Sequence, residues 1–296
     1  MTQNKTIYLV DGSIYIFRAY YSMPEDFVNP QGDLVNAVYG FASSICSILE
    51  QTKTRDIAIT FDESLESSFR NNIYPQYKAN RDPAPNDLKK QFKWCRELAD
   101  AMGIATFSSN EYEADDLIGT LSRQAQNQGQ TVCIVSADKD LAQLLVNQDT
   151  LWDLARNRRE KPEHIKERFG VRCDQIVDYL ALMGDKVDNI PGVPGIGAKG
   201  AAALLQHFDS LEKLYEQLDE VPFLRIRGAK SIHQKLQEHE ELAWMSQSLT
   251  RIHTQVDCLE DPETIARMPI NTQVLDLVLD RLGFGSGLRR RINQLS

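Results

Sequence analysis

The chain has 296 residues, 42% of them apolar and 25% charged, with 16 Gly and 11 Pro; this ordinary globular composition excludes disordered, collagenous and low-complexity classes. At this length a folded chain buries roughly 75% of its unfolded surface, enough for one large domain or two joined ones. Lys and Arg number 33 against 42 Asp and Glu, and the formal charge of -9 at first argues against a polyanionic partner.

No apolar run approaches the ~18 residues of a membrane span. Near the N-terminus only Ile7 to Val10 are apolar before Asp11 interrupts, so neither a membrane span nor a secretory signal is expected. Cys46, Cys95, Cys133, Cys173 and Cys258 are scattered without CxxC spacing, which reads as thiols of a reducing, cytoplasmic compartment and speaks against a zinc site.

In chain order, Thr6 to Val10 is a continuous apolar or β-branched run, the pattern of a strand buried on both faces; Ile57 to Phe61 and Thr131 to Val135 repeat it. Between these runs lie helical stretches at Val38 to Leu49, Leu88 to Met102 and Ala114 to Gln126. Strand, helix, strand in this order predicts an α/β domain with a central, mostly parallel sheet flanked by helices. From about residue 160 the β signal fades. Helical stretches take over at Pro162 to Phe169, Gln175 to Met183, Ala198 to His207 and Ala229 to Leu249, with a further helical pattern from Leu204 to Leu218. The organisation is thus an α/β core over residues 1–160 and a helical region over 161–296.

Each strand run ends in acid. Val10 precedes Asp11, Phe61 precedes Asp62, and Val135 precedes Ser136-Ala137-Asp138-Lys139-Asp140. Ligands of open parallel sheets sit beyond the carboxyl ends of the strands. Glu113, Asp115 and Asp116 open a helix, where acids also suit the positive end of the dipole. At 100° per residue these three cannot share one helical face, so the helix is expected to begin between them, with Glu113 on the incoming loop. Asp185 and Asp188 follow the helix Gln175 to Met183 at a spacing of three. Any one of these residues has an ordinary explanation as a cap or a turn. The set does not: two unit charges about 5 Å apart at an effective dielectric near ~20 repel by roughly 3 kcal/mol. Hard divalent cations with oxygen ligands, Mg²⁺ or Mn²⁺, are the natural neutraliser because neither Cys nor His accompanies the acids. Removing Asp11, Asp62, Glu113, Asp115, Asp116, Asp138, Asp140, Asp185 and Asp188 leaves 33 acids against 33 bases, so the whole formal deficit can be assigned to a metal site.

The cations are placed as a polyanion would need. Arg70, Tyr74, Tyr77, Lys78 and Arg81 interleave aromatic and basic side chains, and Lys89, Lys90 and Lys93 follow. Pro191 to Gly200 holds a literal GxGxxG from Gly195 to Gly200, yet no strand precedes it, so a nicotinamide-dependent enzyme is not expected. A glycine-rich turn between two helices still presents free backbone N–H groups to phosphate.

These motifs together resemble the 5′-nuclease family, also called flap endonucleases, and most closely the 5′-3′ exonuclease domain at the N-terminus of bacterial DNA polymerase I. They are Val10-Asp11-Gly12-Ser13 with Arg18, Phe61-Asp62, Tyr77-Lys78-Ala79-Asn80-Arg81, Glu113-Ala114-Asp115-Asp116, Ser136 to Asp140, and Gly184-Asp185 through Gly197-Ala198-Lys199. The resemblance covers about Ile7 to Arg291, and every carboxylate the family pattern calls for is present. It implies a PIN-like or resolvase-like nuclease core with a helical arch at about 68–102, and a C-terminal region carrying a helix-hairpin-helix DNA-binding motif.

It also implies roles. Glu113, Asp115 and Asp138, with Asp11 and Asp62 nearby, resemble ligands of a first metal, and Asp116, Asp140, Asp185 and Asp188 those of a second. Lys78 and Arg81 resemble the catalytic pair that reaches the scissile phosphate, and Tyr77 resembles an aromatic that stacks on the displaced strand. Arg18 and Lys199 resemble phosphate contacts, Arg70 is a DNA-binding candidate from the interleaved basic and aromatic run, and Gly192, Gly195 and Gly197 resemble the hairpin turn, where family members often hold K⁺. The implied activity is Mg²⁺-dependent hydrolysis near 5′ single-strand/duplex junctions, giving 5′-phosphate and 3′-hydroxyl ends, in primer removal, replication and repair. The implied setting is the nucleoid of a bacterial cytoplasm, with a monomer acting on branched or 5′-flap DNA or an RNA–DNA hybrid. Two rivals are a catalytically silent junction-binding module and an aspartyl-phosphate phosphatase. The second would want an acid where Ser13 stands.

Overall fold

The structure, a computed structural model, describes residues 5–63, 68–256, 259 and 265–295. In chain order the core comprises β1 (Thr6–Asp11), α1 (Gly12–Ser22), α2 (Asn36–Thr52), β2 (Ile57–Asp62), α3 (Arg70–Ile73), α4 (Asn86–Ala101), β3 (Ala105–Ser109), α5 (Ala114–Asn127), β4 (Thr131–Val135), β5 (Thr150–Asp153) and β6 (Arg158–Glu160). The strands form one sheet in the order β3-β2-β1-β4-β5-β6, parallel except for the antiparallel edge strand β6.

The three strands legible in the sequence, β2, β1 and β4, are the consecutive inner ones, where both faces are covered and continuous apolar runs are required. The strands absent from the sequence reading lie outside them. β3 is half-buried along its whole length and carries Thr106, Ser108 and Ser109, while β6 carries Arg158 and Arg159. Helix α1 also escaped notice, because Asp11 ends β1 and caps α1 at once. Its carboxylate accepts from the Ile14 N–H at 3.2 Å, so no loop separates strand from helix. Gly12 is needed at that corner, since a β-carbon there would stand 2.7 Å from Ile59 and Phe61.

Side chains alternate across the sheet with period two. Val10, Ile57, Ile59 and Val135 face a core shared with α1, α2 and α4, whereas Ile7, Leu9, Val132 and Ile134 face one shared with α5 and the helical region. That region continues as α6 (Pro162–Phe169), α7 (Ile176–Met183), α8 (Ala198–Phe208), α9 (Leu211–Glu216), α10 (Ala229–Glu238), α11 (Glu240–Thr250), α12 (Thr272–Arg281) and α13 (Ser286–Asn293). Two expected helices are each broken in two. The run through Leu204 to Leu218 ends at Asp209, at φ +74°, and Ser210 caps α9. The run from Ala229 to Leu249 breaks at His239. Helices α12 and α13 return to the first core, burying Leu275, Leu279, Leu288 and Ile292 with α2 and α4. Residues after 160 therefore also supply packing partners to both faces of the sheet.

The segment expected as a helical arch consists of the four-residue α3, a run of turns to Asn80, a proline link and α4. One face of α4 is in the core through Leu88, Phe92, Cys95 and Leu98. Cys46, Cys95, Cys133 and Cys173 are buried free thiols, and Cys258 lies outside the described residues. Among the described residues no helix is long and apolar enough to cross a membrane.

Candidate metal centre and nucleic-acid interface

The parallel register places Asp11 and Asp62 at the carboxyl ends of neighbouring strands β1 and β2, with Asp138 and Asp140 just beyond β4. Short side chains hold this rim. Ser136 donates from Oγ to Asp11 Oδ2 at 2.9 Å and accepts from the Asp138 N–H at 3.0 Å, and the Asp140 N–H donates to Asp138 Oδ1 at 2.8 Å. Ser13 Oγ accepts from the Asp62 N–H at 2.9 Å, while Asp62 Oδ1 accepts from the Ala114 N–H at 2.9 Å and so docks the start of α5 on the rim. Ser13 and Ser136 were missed as positioning residues, although each stands within two residues of a rim acid.

Glu113 is the N-cap of α5, outside the helix as the angular argument requires, and Asp115 lies in its first turn. Burial and the Asp62 charge push the Asp11 carboxyl up to about 7; burial and Asp138 do the same to Asp140, also to about 7. Asp115 is raised by burial and by Asp138, Asp11 and Asp62, and Asp138 is raised chiefly by burial. Among the described residues none of Asp11, Asp62, Asp115 and Asp138 has a salt-bridge partner. Four carboxylates therefore repel one another in a partly desolvated space, which is the electrostatic complement of a cation.

The remaining acids are already engaged. Lys78 Nζ lies 2.7 Å from Glu113 and 3.8 Å from Asp188, and Arg81 pairs with Asp188. Lys139 lies 3.1 Å from Asp140 and also pairs with Asp185. Burial opposes the charge on Glu113, but Lys78 and Arg70 outweigh it and hold the carboxyl below its usual range. Lys78 stands at φ +55°, a conformation fixed by its N–H donating to the Asp188 carbonyl at 2.9 Å. Asn80 donates to the Lys186 carbonyl and Asn189 to that of Gln76, so the turns at 74–81 dock on the 185–190 loop. Among the described residues no three Asp, Glu, His or Cys groups close on one point as a ready-made cage. The donor set nonetheless suits a hard cation: it is all oxygen, in mutual repulsion, and Mg²⁺ commonly keeps several waters between itself and its carboxylates.

Three residues expected in this machinery have other surroundings. Asp116 is fully buried and takes a bidentate pair from Arg70, at 2.8 Å on each oxygen, while the His253 N–H donates to it at 2.8 Å. Its lone pairs are occupied by protein, so it braces α5 rather than facing the rim. Arg70, grouped by sequence with surface cations, is likewise interior: it also reaches Glu113 at 3.1 Å and the carbonyls of Leu249 and Arg251. Tyr77 is largely buried, its hydroxyl donating to Glu113 at 3.0 Å, and it borders a cleft that also meets Asp62. The long sequence separations of these contacts hid them.

This cleft, of about 820 Å³, opens beside the rim, which it meets at Asp62, and is lined also by Glu113, Lys78, Arg81, Phe17 and Tyr21 among others. A second, of about 810 Å³, shares Asp62 and is bordered by Lys89, Lys93 and Arg96 of α4. Arg18 is exposed two turns along α1, away from this cleft, beside a smaller one of about 370 Å³. The turn between α7 and α8 is built on Gly184, Gly192 and Gly195, all at positive φ. A β-carbon at Gly192 would stand 2.3 Å from the Gly184 nitrogen, so the hairpin closes only with glycine there. The Gly192 N–H donates to Ser246 Oγ at 3.1 Å and the Val193 N–H to the Leu182 carbonyl at 2.9 Å. Gly197 precedes α8 without a side-chain cap, leaving the first N–H groups of the helix facing solvent beside exposed Lys199.

Residues 6–170 match the family model of the 5′-3′ exonuclease N-terminal resolvase-like domain, and residues 171–273 that of the 5′-3′ exonuclease C-terminal SAM fold. The DNA polymerase I of Bacillus subtilis (strain 168) is 37% identical over 294 residues, 98% of this chain and 32% of that protein. A 5′-3′ exonuclease of Buchnera aphidicola subsp. Acyrthosiphon pisum (strain APS) is 34% identical over 280 residues, 94% of this chain and 93% of that one. This chain thus spans about a third of the polymerase relatives it matches and nearly all of the exonuclease. Among solved structures, the T5 5′-exonuclease bound to divalent metal ions (zinc) superposes with a TM-score of 0.68 at 23% identity, covering 99% of this chain and 100% of that one. The catalytic core of Rad2 in complex with DNA substrate gives 0.62 at 16% identity, covering 99% and 92%. The sheet with its acidic rim and the hairpin beyond it occur together in a chain that belongs to the 5′-3′ exonuclease family.

Proposed function

We propose that the chain is a structure-specific 5′ nuclease that hydrolyses DNA phosphodiesters near 5′ single-strand/duplex junctions with divalent metal. The observation that carries this reading is the unpaired set Asp11, Asp62, Asp115 and Asp138 at one sheet rim, raised or crowded by burial and mutual charge. These four, with Asp140, Asp185 and Asp188 around them, would hold two or more Mg²⁺ ions, for which Mn²⁺ would substitute. When bound, such ions generate a nucleophile from water at neutral pH and neutralise charge on the transferring phosphoryl group.

The chain's own residues do the rest. Glu113, kept ionised by Lys78 and Arg70, holds Lys78 over the cleft until a phosphate competes for the ammonium. Lys78 and Arg81, aimed by their pairs with Glu113 and Asp188, are then free to bind the scissile phosphate and stabilise charge as it develops. Arg70 and Asp116 fix the start of α5, and with it Asp115, rather than touching substrate. Lys199 and the N–H groups after Gly197 bind the duplex backbone, so specificity follows junction shape rather than base sequence. Arg18 is a more distant backbone contact. K⁺ on the carbonyls of the hairpin turn completes the reading, tested by exchanging K⁺ for Na⁺ at fixed ionic strength and measuring duplex affinity.

The products carry 5′-phosphate and 3′-hydroxyl ends, which suits primer removal and repair at the nucleoid of a bacterial cytoplasm, on 5′-flap DNA or an RNA–DNA hybrid and by a monomer. The deciding experiment is cleavage of a 5′-labelled flap duplex, beside an unbranched control, in Mg²⁺ and in EDTA. A short labelled product that EDTA abolishes is expected. Tight binding without cleavage in either Mg²⁺ or Mn²⁺ would instead establish a catalytically silent junction-binding module.

A further inference from the structure

Gly195, at φ +83° in the hairpin turn, has a side chain from another helix lying across it. A β-carbon placed there would meet Lys235 of α10 at 2.1 Å from Nζ, 3.1 Å from Cε and 3.5 Å from Cδ. The position of Lys235 is fixed from below. Ile232 and Leu236 of α10 are buried in the same apolar cluster as Val193 and Ile196 of the turn, so the roll of α10 is set and the neighbouring side chain must emerge beside the hairpin. Among the described residues no carboxylate lies within salt-bridge distance of its ammonium. Lys235 is half-buried, and the Gly195 it lies across stands two residues before the helix cap Gly197 and four before exposed Lys199.

We propose that Lys235 is a duplex-binding residue, its ammonium contacting the backbone phosphate that the hairpin's N–H groups hold. This rests on the reading of that hairpin as a duplex-binding element. Charge delivered from α10 would make the turn a two-sided grip, with Lys199 on one side and Lys235 on the other, and would tie duplex binding to the packing of α10. Arg225, Arg227 and Lys230, exposed just before and at the start of α10, would continue the same basic surface.

The test is the affinity of the full chain for a flap duplex in Ca²⁺, measured across a salt series for wild type, Lys235→Met, Lys235→Arg and Lys199→Met. Met keeps the length of the stem and removes the charge. Lys235→Met should weaken binding about fivefold to tenfold, reduce the slope of log K against log salt by about one, and raise KM in Mg²⁺ while kcat at saturating DNA holds. Lys235→Arg should restore both affinity and slope. If Lys199→Met weakens binding but Lys235→Met changes neither affinity nor slope, the proposal is overturned and the hairpin reading survives. If neither variant changes binding, the hairpin reading itself fails. Lost affinity with an unchanged slope and a lowered Tm would also overturn the proposal, by making Lys235 a packing residue only.

Discussion

The carboxylates of this molecule fall into two groups that the same sequence pattern cannot distinguish. At the strand rim, Asp11 is buried and Asp115 and Asp138 are half-buried near it and near Asp62, and their protonation is raised. Under the 70–81 segment, buried Asp116 and half-buried Glu113 and Asp188 are met by Arg70, Lys78 and Arg81, and Glu113 is shifted the opposite way. Burial is common to both groups, so the opposite shift of Glu113 comes from its cations Lys78 and Arg70; Asp140, which meets a single ammonium from Lys139, stays raised because burial and the Asp138 charge outweigh it. The first group awaits an external charge. The second is held by internal ones, of which Lys78 and Arg81 are partly exposed and free to exchange while Arg70 is not.

The largest expected effect comes from emptying a rim position. Asp115→Ala should lower kcat by roughly a thousandfold while the metal-free protein melts no lower than wild type, since the change relieves repulsion. A clear drop in melting temperature would contradict the division into two groups. The converse experiment is Arg70→Met, which leaves Asp116 as a buried charge without its partner and should cost about 3–5 kcal/mol of stability in denaturant unfolding. Adding Asp116→Leu should recover part of that loss, and no recovery would mean that Arg70 acts through its carbonyl contacts with Leu249 and Arg251 instead.

Between these extremes stands Lys78→Ala, predicted to lower kcat about a hundredfold with little change in flap affinity. Matched losses in kcat and affinity would make Lys78 a binding residue.

The smallest effect is on stability against pH in EDTA. Asp11 and Asp140, raised from the ordinary 3.8 to about 7, keep protons in the fold that the unfolded chain has already lost. Stability should therefore fall as pH rises from about 4 to about 7, by about 2–4 °C of Tm for each kcal/mol lost. Glu113 works with the opposite sign and lower down: its contribution is present above its ordinary pKa and is lost as pH falls below it. Saturating Mg²⁺ should flatten the upper limb and leave the lower one. An upper limb unchanged by Mg²⁺ would mean that the rim does not hold the ion.

Much of this was legible without coordinates, and for a local reason. β2, β1 and β4 are covered on both faces, so their sequences had to be continuous apolar runs, and in a parallel sheet such strands end on one side. The acids that follow Val10, Phe61 and Val135 could only converge there. The split within Glu113-Ala114-Asp115-Asp116 was equally readable, because helical angle alone forbids one face. The outer strands β3 and β6 were not, since half-exposed or polar edges carry little periodic signal. Helix α1 was hidden because the residue that ends the strand also starts the helix.

By itself, then, the sequence determined the inner strands, the rim on which the acids gather, the glycine turn and the family resemblance, all of which depend on residue types at short spacing. Only the tertiary structure decided which acids are already neutralised. Arg70 finds Asp116 and Tyr77 finds Glu113 across 46 and 36 residues of chain, and both side chains thereby leave the surface where their types had placed them. Lys235 reaches Gly195 only because α10 folds back on the hairpin. Such pairings follow from which helices share a core, and no local pattern encodes a partner that distant in the chain.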